Sequence, residues 1–329
     1  VALSFLPLCH IFERTFVYGY MYNGISVNFA ESLDTISENL MEVKPNFMTA
    51  VPRLLEKVYE KIYNKGNEFS GLKKKIFFWS IKVALKFEPY NNNLIYLIKH
   101  WIAKKLVLSK WKNALGGKLE LICSGSAPLQ PRLARVFSAA GITIAEAYGL
   151  TETSPAISIN ELRNKGLKIG TVGKPIENVE IKIANDGEIL CKGPNVMKGY
   201  FKDPKLTKKV MSGGFFHTGD IGLIDNDGFL KVTDRKKQIF KTSGGKYIAP
   251  QVIENYLKQS NLIEQIIVIG EGKKMPAALI QPNFDQARLW MKQNSIPYGK
   301  NLEDISKNIK LIEKITIEIR TYDKNFGSW

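Results

Sequence analysis

Leu119-Glu120-Leu121-Ile122-Cys123-Ser124-Gly125-Ser126-Ala127-Pro128 decides the fold. A short apolar run of strand composition ends in a turn of small residues, and Pro128 closes the turn. Residues 129–140 then carry helical spacing, and Ile142-Thr143-Ile144-Ala145-Glu146-Ala147 reads as the next strand. Strand, loop, helix, strand in this order implies parallel pairing, because the helix carries the chain back to the same end of the sheet. Upstream, Phe47-Met48-Thr49-Ala50-Val51 reads as another strand, and Pro52 opens a helix where its missing N–H costs nothing. The expected class is α/β with a parallel sheet.

From about Lys168 the character changes. Short strand-like runs alternate with turn signals such as Asn185-Asp186-Gly187 and Asn226-Asp227-Gly228, which predicts an antiparallel β unit. The charged knot Asp234-Arg235-Lys236-Lys237 then reads as a boundary, followed by a smaller α/β unit with a helix at 250–259 and a strand at 265–270. The expected division is 1–167, 168–236 and 237–329. The length of 329 residues and the 44% apolar content suit more than one packed unit.

The formal net charge is +16. Lysine outnumbers arginine and the charges are spread along the chain, so the excess reads as compositional and no nucleic-acid partner is expected; recognisable RNA- or DNA-binding motifs are missing. A basic surface still favours anionic ligands, nucleotides or an anionic membrane face. The three cysteines, Cys9, Cys123 and Cys191, lie far apart without CxxC spacing, which argues against a disulfide framework or a zinc site and fits a reducing cytoplasm. The chain starts at Val1 inside an apolar run that lacks the basic flank of a signal peptide. It ends on Asn325-Phe326-Gly327-Ser328-Trp329, without a polar fade-out, so truncation at both ends is expected.

Several segments carry candidate chemistry. The 124–128 turn lets a flat ligand approach the backbone, although such turns are common. In Tyr148-Gly149-Leu150-Thr151-Glu152-Thr153 the tyrosine can stack on a base, the threonine hydroxyl can meet phosphate, and the glutamate can hold Mg²⁺ bridging phosphate oxygens. An ordinary strand exit with a capping threonine would look the same. Asp220 closes the run Phe215-Phe216-His217-Thr218-Gly219-Asp220, and a carboxylate at a strand end can take both ribose hydroxyls. Asp234-Arg235 offers a second ribose or phosphate contact, or is a surface ion pair worth little. Thr242-Ser243-Gly244-Gly245-Lys246 can lie along an extended ligand but lacks Walker spacing.

The order of these segments resembles the adenylate-forming (AMP-binding) superfamily, and within it the long-chain fatty acid–CoA ligases. The closer likeness lies in Leu6-Pro7-Leu8-Cys9-His10-Ile11-Phe12-Glu13-Arg14, Ala114-Leu115-Gly116-Gly117-Lys118-Leu119, Val172-Gly173-Lys174-Pro175, and Asp234-Arg235-Lys236-Lys237-Gln238 running on to Gly244-Gly245-Lys246-Tyr247-Ile248-Ala249-Pro250. The resemblance implies a large adenylate-forming domain followed by a small C-terminal one, with ATP, Mg²⁺ and coenzyme A as cofactors and a fatty acid as substrate. It implies that Gly125, Ser126 and Ala127 line adenine, that Tyr148, followed by Gly149, stacks on it, and that Thr151 meets the α-phosphate. It makes Glu152 the Mg²⁺ ligand, places Asp220 and Arg235 on the ribose, His10 near the acyl carboxylate, Lys237 at the hinge, and Gly244 and Gly245 along the pantetheine tunnel. Cys9 departs from the serine often found before the histidine.

The resemblance also implies a Ser/Thr/Gly-rich phosphate loop before Leu6 and a C-terminal lysine after the 325–329 segment. Neither is in the 329 residues, so this chain by itself is expected to be inactive in adenylation. Residues 69–112 form a basic and aromatic helical stretch. Lys73-Lys74-Lys75 before Ile76-Phe77-Phe78-Trp79 fits either an interfacial helix in peripheral membrane contact or a core-packed helix pair with a solvated basic face. Other readings are a ligase for a medium-chain or aryl acid, and a non-catalytic nucleotide- or acyl-binding protein.

Overall fold

A computed structural model describes residues 1–91 and 93–323. The 325–329 segment quoted above lies outside the described residues. The chain divides into two compact units. One holds 1–218 and 222–232, and the other holds 219–221 and 233 onward.

The first unit is built on a seven-stranded sheet of β1 (Ala2–Ser4), β2 (Val27–Phe29), β3 (Phe47–Ala50), β4 (Leu121–Ser124), β5 (Thr143–Gly149), β6 (Ala156–Ile159) and β7 (Lys174–Pro175), in the order β2-β1-β3-β4-β5-β6-β7. The strands β1 to β5 are parallel, as the sequence predicts. Strands β6 and β7 extend the sheet antiparallel, which the strand-helix-strand reading did not foresee. The reason is local. The chain leaves β5 through a short turn rather than a helix, so it can only return antiparallel.

Helices α1 (Ile11–Tyr22), α2 (Ile36–Val43), α3 (Pro52–Asn67), α4 (Gly71–Ala84), α5 (Leu94–Ala103), α6 (Ser109–Ala114) and α7 (Pro131–Ala139) accompany this sheet, with a π-helical stretch, Lys104–Leu108, joining α5 to α6. Strand residues Leu3, Met48, Ile122 and Ile144 share one buried cluster with Leu55 of α3 and Phe137 of α7. Phe77, Ile81, Val83 and Ala84 of α4 join the same core. Lys73-Lys74-Lys75 and the aromatics after them therefore form a core-packed helix with a solvated basic edge, one of the two arrangements that the sequence allows.

A second, five-stranded antiparallel sheet combines β8 (Glu180–Ile183), β9 (Glu188–Lys192), β10 (Met211–Ser212), β11 (Phe215–Ile224) and β12 (Leu230–Arg235), with the short helix α8 (Pro204–Val210) beside it. Asp220 lies in the middle of β11, not at a strand end. The alternation of buried and exposed residues runs on through Gly219 and past Asp220.

The other unit contains the hairpin β13 (Phe240–Lys241) and β14 (Tyr247–Ile248), helix α9 (Pro250–Leu257), the antiparallel pair β15 (Ile263–Ile269) and β16 (Ala277–Pro282), and helices α10 (Phe284–Gln293), α11 (Leu302–Ser306) and α12 (Ile309–Asp323). Leu257, Ile266, Met291, Ile305 and Leu311 form its core.

Phe137 is fully buried and packs edge-on to Trp111, with ring centroids 6.0 Å apart. Phe137→Ala is expected to destabilise the first unit by about 3–5 kcal/mol, read as a lowered urea midpoint; a loss below about 1 kcal/mol would contradict this packing.

Candidate functional site

In a sheet of order β2-β1-β3-β4-β5, the crossover direction reverses between β1 and β3, and ligands of such sheets bind outside the carboxyl ends of the strands. The segments singled out in this unit leave that edge. Strand β1 runs on to His10, β4 into Ser124 and Gly125, and β5 into Tyr148 and Gly149.

The loop after β4 is held from below. Gly125 is buried, and a Cβ there would come within 2.9 Å of the Phe12 ring on α1, so only glycine lets the loop sit this close. Ser126 then takes a left-handed conformation, φ 68°, and Ser126 and Ala127 are exposed. The loop thus reaches the surface at Ser126 and Ala127, just past a buried glycine that rests on an aromatic ring.

The turn after β5 is tighter. A Cβ on Gly149 would fall 1.7 Å from the Pro155 carbonyl oxygen. Thr153 is fully buried; its hydroxyl accepts the Leu150 N–H at 2.9 Å and donates to the Pro155 carbonyl at 2.7 Å. This cross-tie leaves Thr151 exposed and Tyr148 and Glu152 half-buried. The Tyr200 hydroxyl donates to Glu152 Oε1 at 2.8 Å, and the Met197 N–H donates to the Glu152 carbonyl at 2.8 Å. Burial, then the hydrogen bond to and charge of Glu152, push the Tyr200 phenol up to about 12, so it stays a donor. Sequence reading missed Tyr200, since nothing local to it signals a partner 48 residues away.

Two carboxyls lie behind the edge. Glu13 is fully buried; Ser4 of β1 donates to Oε1 at 2.5 Å and Thr49 of β3 donates to Oε2. This clasp pins α1 to the two strands at the reversal point. Glu146, one residue of β5 above Ala147, is buried, and burial pushes its carboxyl up to about 8 against the pull of the Gly170 and Leu129 backbone N–H groups. It thereby ties the end of the 124–129 loop and the approach to β7 to β5. His10 is exposed and caps α1, its Nδ1 accepting the Phe12 N–H at 3.3 Å.

In the second unit, Asp220 is buried and its Oδ1 lies 3.4 Å from Nε of the exposed Arg235. Asp234 is not Arg235's ionic partner. Its side chain is fully buried, accepting the Arg235 N–H at 2.6 Å and, at the start of α9, the Gln251 N–H at 3.1 Å. Burial raises its carboxyl above the usual carboxylate range, with the two N–H groups opposing. Lys237, Gly244 and Gly245 are exposed. The two glycines sit in a turn closed by the Gly245 N–H donating to the Thr242 carbonyl at 2.9 Å.

Because the folded-state value of Glu146 lies above its ordinary one, its stabilising contribution is complete below about pH 4.5 and fades as pH rises through about 8. The melting temperature of Glu146→Gln, which cannot charge, is expected to match the parent at pH 5 and exceed it at pH 9 by on the order of 5 °C. Parallel melting curves across this range would contradict the assignment.

Comparison with known proteins follows the same division. The AMP-binding enzyme family matches residues 1–201, and the AMP-binding enzyme C-terminal domain family matches residues 237–316. The chain is 36% identical over 322 residues to a long-chain-fatty-acid–CoA ligase of Mycobacterium bovis, covering 97% of this chain and 53% of that protein. It is 35% identical over 343 residues to long-chain-fatty-acid–CoA ligase 5 of Mus musculus, covering 99% and 49%. It thus spans about half the length of the curated relatives it matches. Among solved structures, the adenylation domain of a carboxylic acid reductase from Segniliparus rugosus, in complex with AMP and a co-purified carboxylic acid, is similar at a TM-score of 0.71 and 20% identity, covering 100% of this chain and 47% of that one. O-succinylbenzoate coenzyme A synthetase from Bacillus subtilis, with ATP and magnesium, is similar at 0.61 and 22%, covering 93% and 54%. At these identities the two structures speak for the fold.

Proposed function

Because this chain belongs to the AMP-binding enzyme family, we propose that it is the nucleotide-handling part of a ligase that joins a long-chain fatty acid to coenzyme A through an acyl-adenylate. The observation that carries this reading is the pairing of two turns, 124–128 and 148–153, at the carboxyl ends of the adjacent parallel strands β4 and β5. One is an exposed turn of small residues over a buried glycine; the other offers an aromatic face, a hydroxyl and a carboxylate within five residues. Those are the groups a nucleoside polyphosphate calls for.

In the first half-reaction, a carboxylate oxygen attacks the α-phosphorus of ATP, the bond to the bridging oxygen breaks, and pyrophosphate leaves. In the second, the thiol sulfur of coenzyme A attacks the acyl carbon, AMP departs, and the thiol proton is released. The proposed roles follow. Gly125, Ser126 and Ala127 line the base, Tyr148 stacks on it beside Gly149, Thr151 meets the α-phosphate, and His10 faces the acyl carboxylate. Asp220 and Arg235 hold the ribose. Lys237 is the hinge residue, and Gly244 and Gly245 line the coenzyme A path. None of these residues forms a covalent bond to substrate; positioning and charge stabilisation do the work.

Among the described residues no cluster of three or more His, Cys, Asp and Glu can cage a metal. A lone carboxylate suits Mg²⁺, which keeps water and phosphate oxygens as its main ligands. Glu152 is the proposed ligand, and Tyr200 fixes its orientation through Oε1. When bound, Mg²⁺ supplies charge neutralisation for the phosphates.

Three parts are proposed: 1–167 and 168–236 as subdomains of the nucleotide-binding portion, and 237–329 as the C-terminal one. The proposed setting is the cytoplasm; no helix among the described residues is long and apolar enough to cross a membrane. The likeness to long-chain-fatty-acid–CoA ligases supports the substrate class.

Titration calorimetry with ATP and Mg²⁺ tests the reading. Tyr148→Ala is expected to weaken ATP about tenfold while Tyr148→Phe keeps the parent affinity, since the face, not the hydroxyl, does the stacking. Equal affinities for the parent and the alanine variant would overturn the role. The 329-residue chain by itself is expected to show no fatty-acid-dependent ATP–pyrophosphate exchange, because the two lysine-bearing phosphate elements implied by the resemblance are not in its sequence. Robust exchange would contradict this.

A further inference from the structure

Helix α5 has two faces. Tyr96, His100, Ala103 and, beyond its end, Val107 turn inward. The Tyr96 hydroxyl donates to the Val83 carbonyl of α4 at 3.4 Å, and His100 Nε2 donates to the Ala139 carbonyl of α7 at 2.8 Å. Tyr96 and His100 stack, and Phe87 packs against His100. This face seats the helix.

The opposite face is apolar and open. Leu94, Ile95, Ile98, Trp101 and Ile102 are 71%, 67%, 53%, 63% and 36% exposed. Their positions, i, i+1, i+4, i+7 and i+8, form one continuous stripe, and Leu106 in the π-helical stretch prolongs it at 44%. Single exposed apolar residues are ordinary, but a contiguous stripe of this kind marks a contact surface.

The charges around the stripe say what it contacts. Exposed Lys99, Lys104, Lys105 and Lys110 flank it, and Lys105 Nζ sits 5.3 Å from the Trp101 ring centre. From residue 89 to residue 119 the sequence has six lysines and no aspartate or glutamate. A second copy of the chain docked on this face would set lysine rims against each other. An anionic lipid surface instead receives the apolar stripe among its acyl chains while its headgroups meet the lysines, and tryptophan is at home at that boundary.

We propose that the outer face of α5, with the lysines that flank it, is a peripheral docking surface for anionic lipid bilayers. The proposal stands on this helix alone and is independent of the catalytic reading. It places the membrane contact expected of 69–112 on α5. Each lysine near an anionic surface contributes about fivefold to partitioning, and salt screens that share.

The test is co-sedimentation of the 329-residue chain with vesicles of phosphatidylcholine alone and of phosphatidylcholine with phosphatidylglycerol, at low and high salt, beside light-scattering mass measurement. The expected result is binding to the anionic vesicles at low salt that weakens in high salt and on the neutral vesicles. Ile98→Ser with Trp101→Ser is expected to cut partitioning at least tenfold, and Lys99→Gln with Lys105→Gln at least fivefold, with parent melting temperatures. Tyr22→Ser, at a 93% exposed position away from the stripe, should leave binding intact. Trp101→Phe should bind while losing the blue shift of tryptophan emission. The proposal is overturned if the parent ignores anionic vesicles at low salt, if the Ile98/Trp101 variant binds like the parent, or if the parent is a dimer that this variant dissolves without any vesicle binding.

Discussion

The close approach of Gly149 to the Pro155 carbonyl is the constraint on which the candidate site in the first unit depends. The chain must leave β5 and return as β6 within a few residues, and it does so with no room for a Cβ at 149. Thr153 then holds the turn from inside, its hydroxyl bonded to groups on both limbs. Two consequences follow. Tyr148 stays in the sheet, in register with Ser158, so its ring has a fixed base. Thr151 and Glu152, pushed outward, present a hydroxyl and a carboxylate that Tyr200 orients. The arrangement is preorganised: a ligand would find these groups placed rather than having to order them.

Buried carboxyls set the rest of that edge. Glu13 joins α1 to β1 and β3 through the Ser4 and Thr49 hydroxyls, and Phe12, the residue before it, is the ring beneath Gly125. One helix therefore supports both the segment that starts at His10, proposed to face the acyl carboxylate, and the proposed adenine loop. Glu146 performs a similar linkage one strand over, drawing the Leu129 and Gly170 N–H groups toward β5. A carboxyl in such a place is costly when charged, which is why the stability of this edge should fall as pH rises.

Much of this was legible in the sequence because it is local. The apolar run 119–123, the small-residue turn and the helix after it place a parallel pair, and the structure has β4, α7 and β5 there. Pro52 opens α3 as its fixed geometry dictates. What was not legible depends on distant partners. The sequence reading stopped a strand at Gly219-Asp220, yet β11 continues because its neighbours in the sheet keep supplying hydrogen bonds. It treated Asp234 and Arg235 as one contact, yet the start of α9 draws Asp234 inward and leaves Arg235 with Asp220. Lys73-Lys74-Lys75 fitted either an interfacial or a core-packed helix, and only the contacts of the aromatics behind it with α3 and the core choose the second, while the open apolar face belongs to the next helix. Tyr200 and Glu146 carried no signal that spacing alone could rank.

The turns after β4 and β5 are the proposed base-binding wall of a nucleotide site. Photolabelling with 8-azido-ATP and peptide mapping tests it most directly, because the reactive nitrogen sits on the base. The expected label is confined to residues 124–128 and Tyr148, and excess ATP suppresses it. A label that maps elsewhere in the chain, or that ATP does not displace, would contradict it.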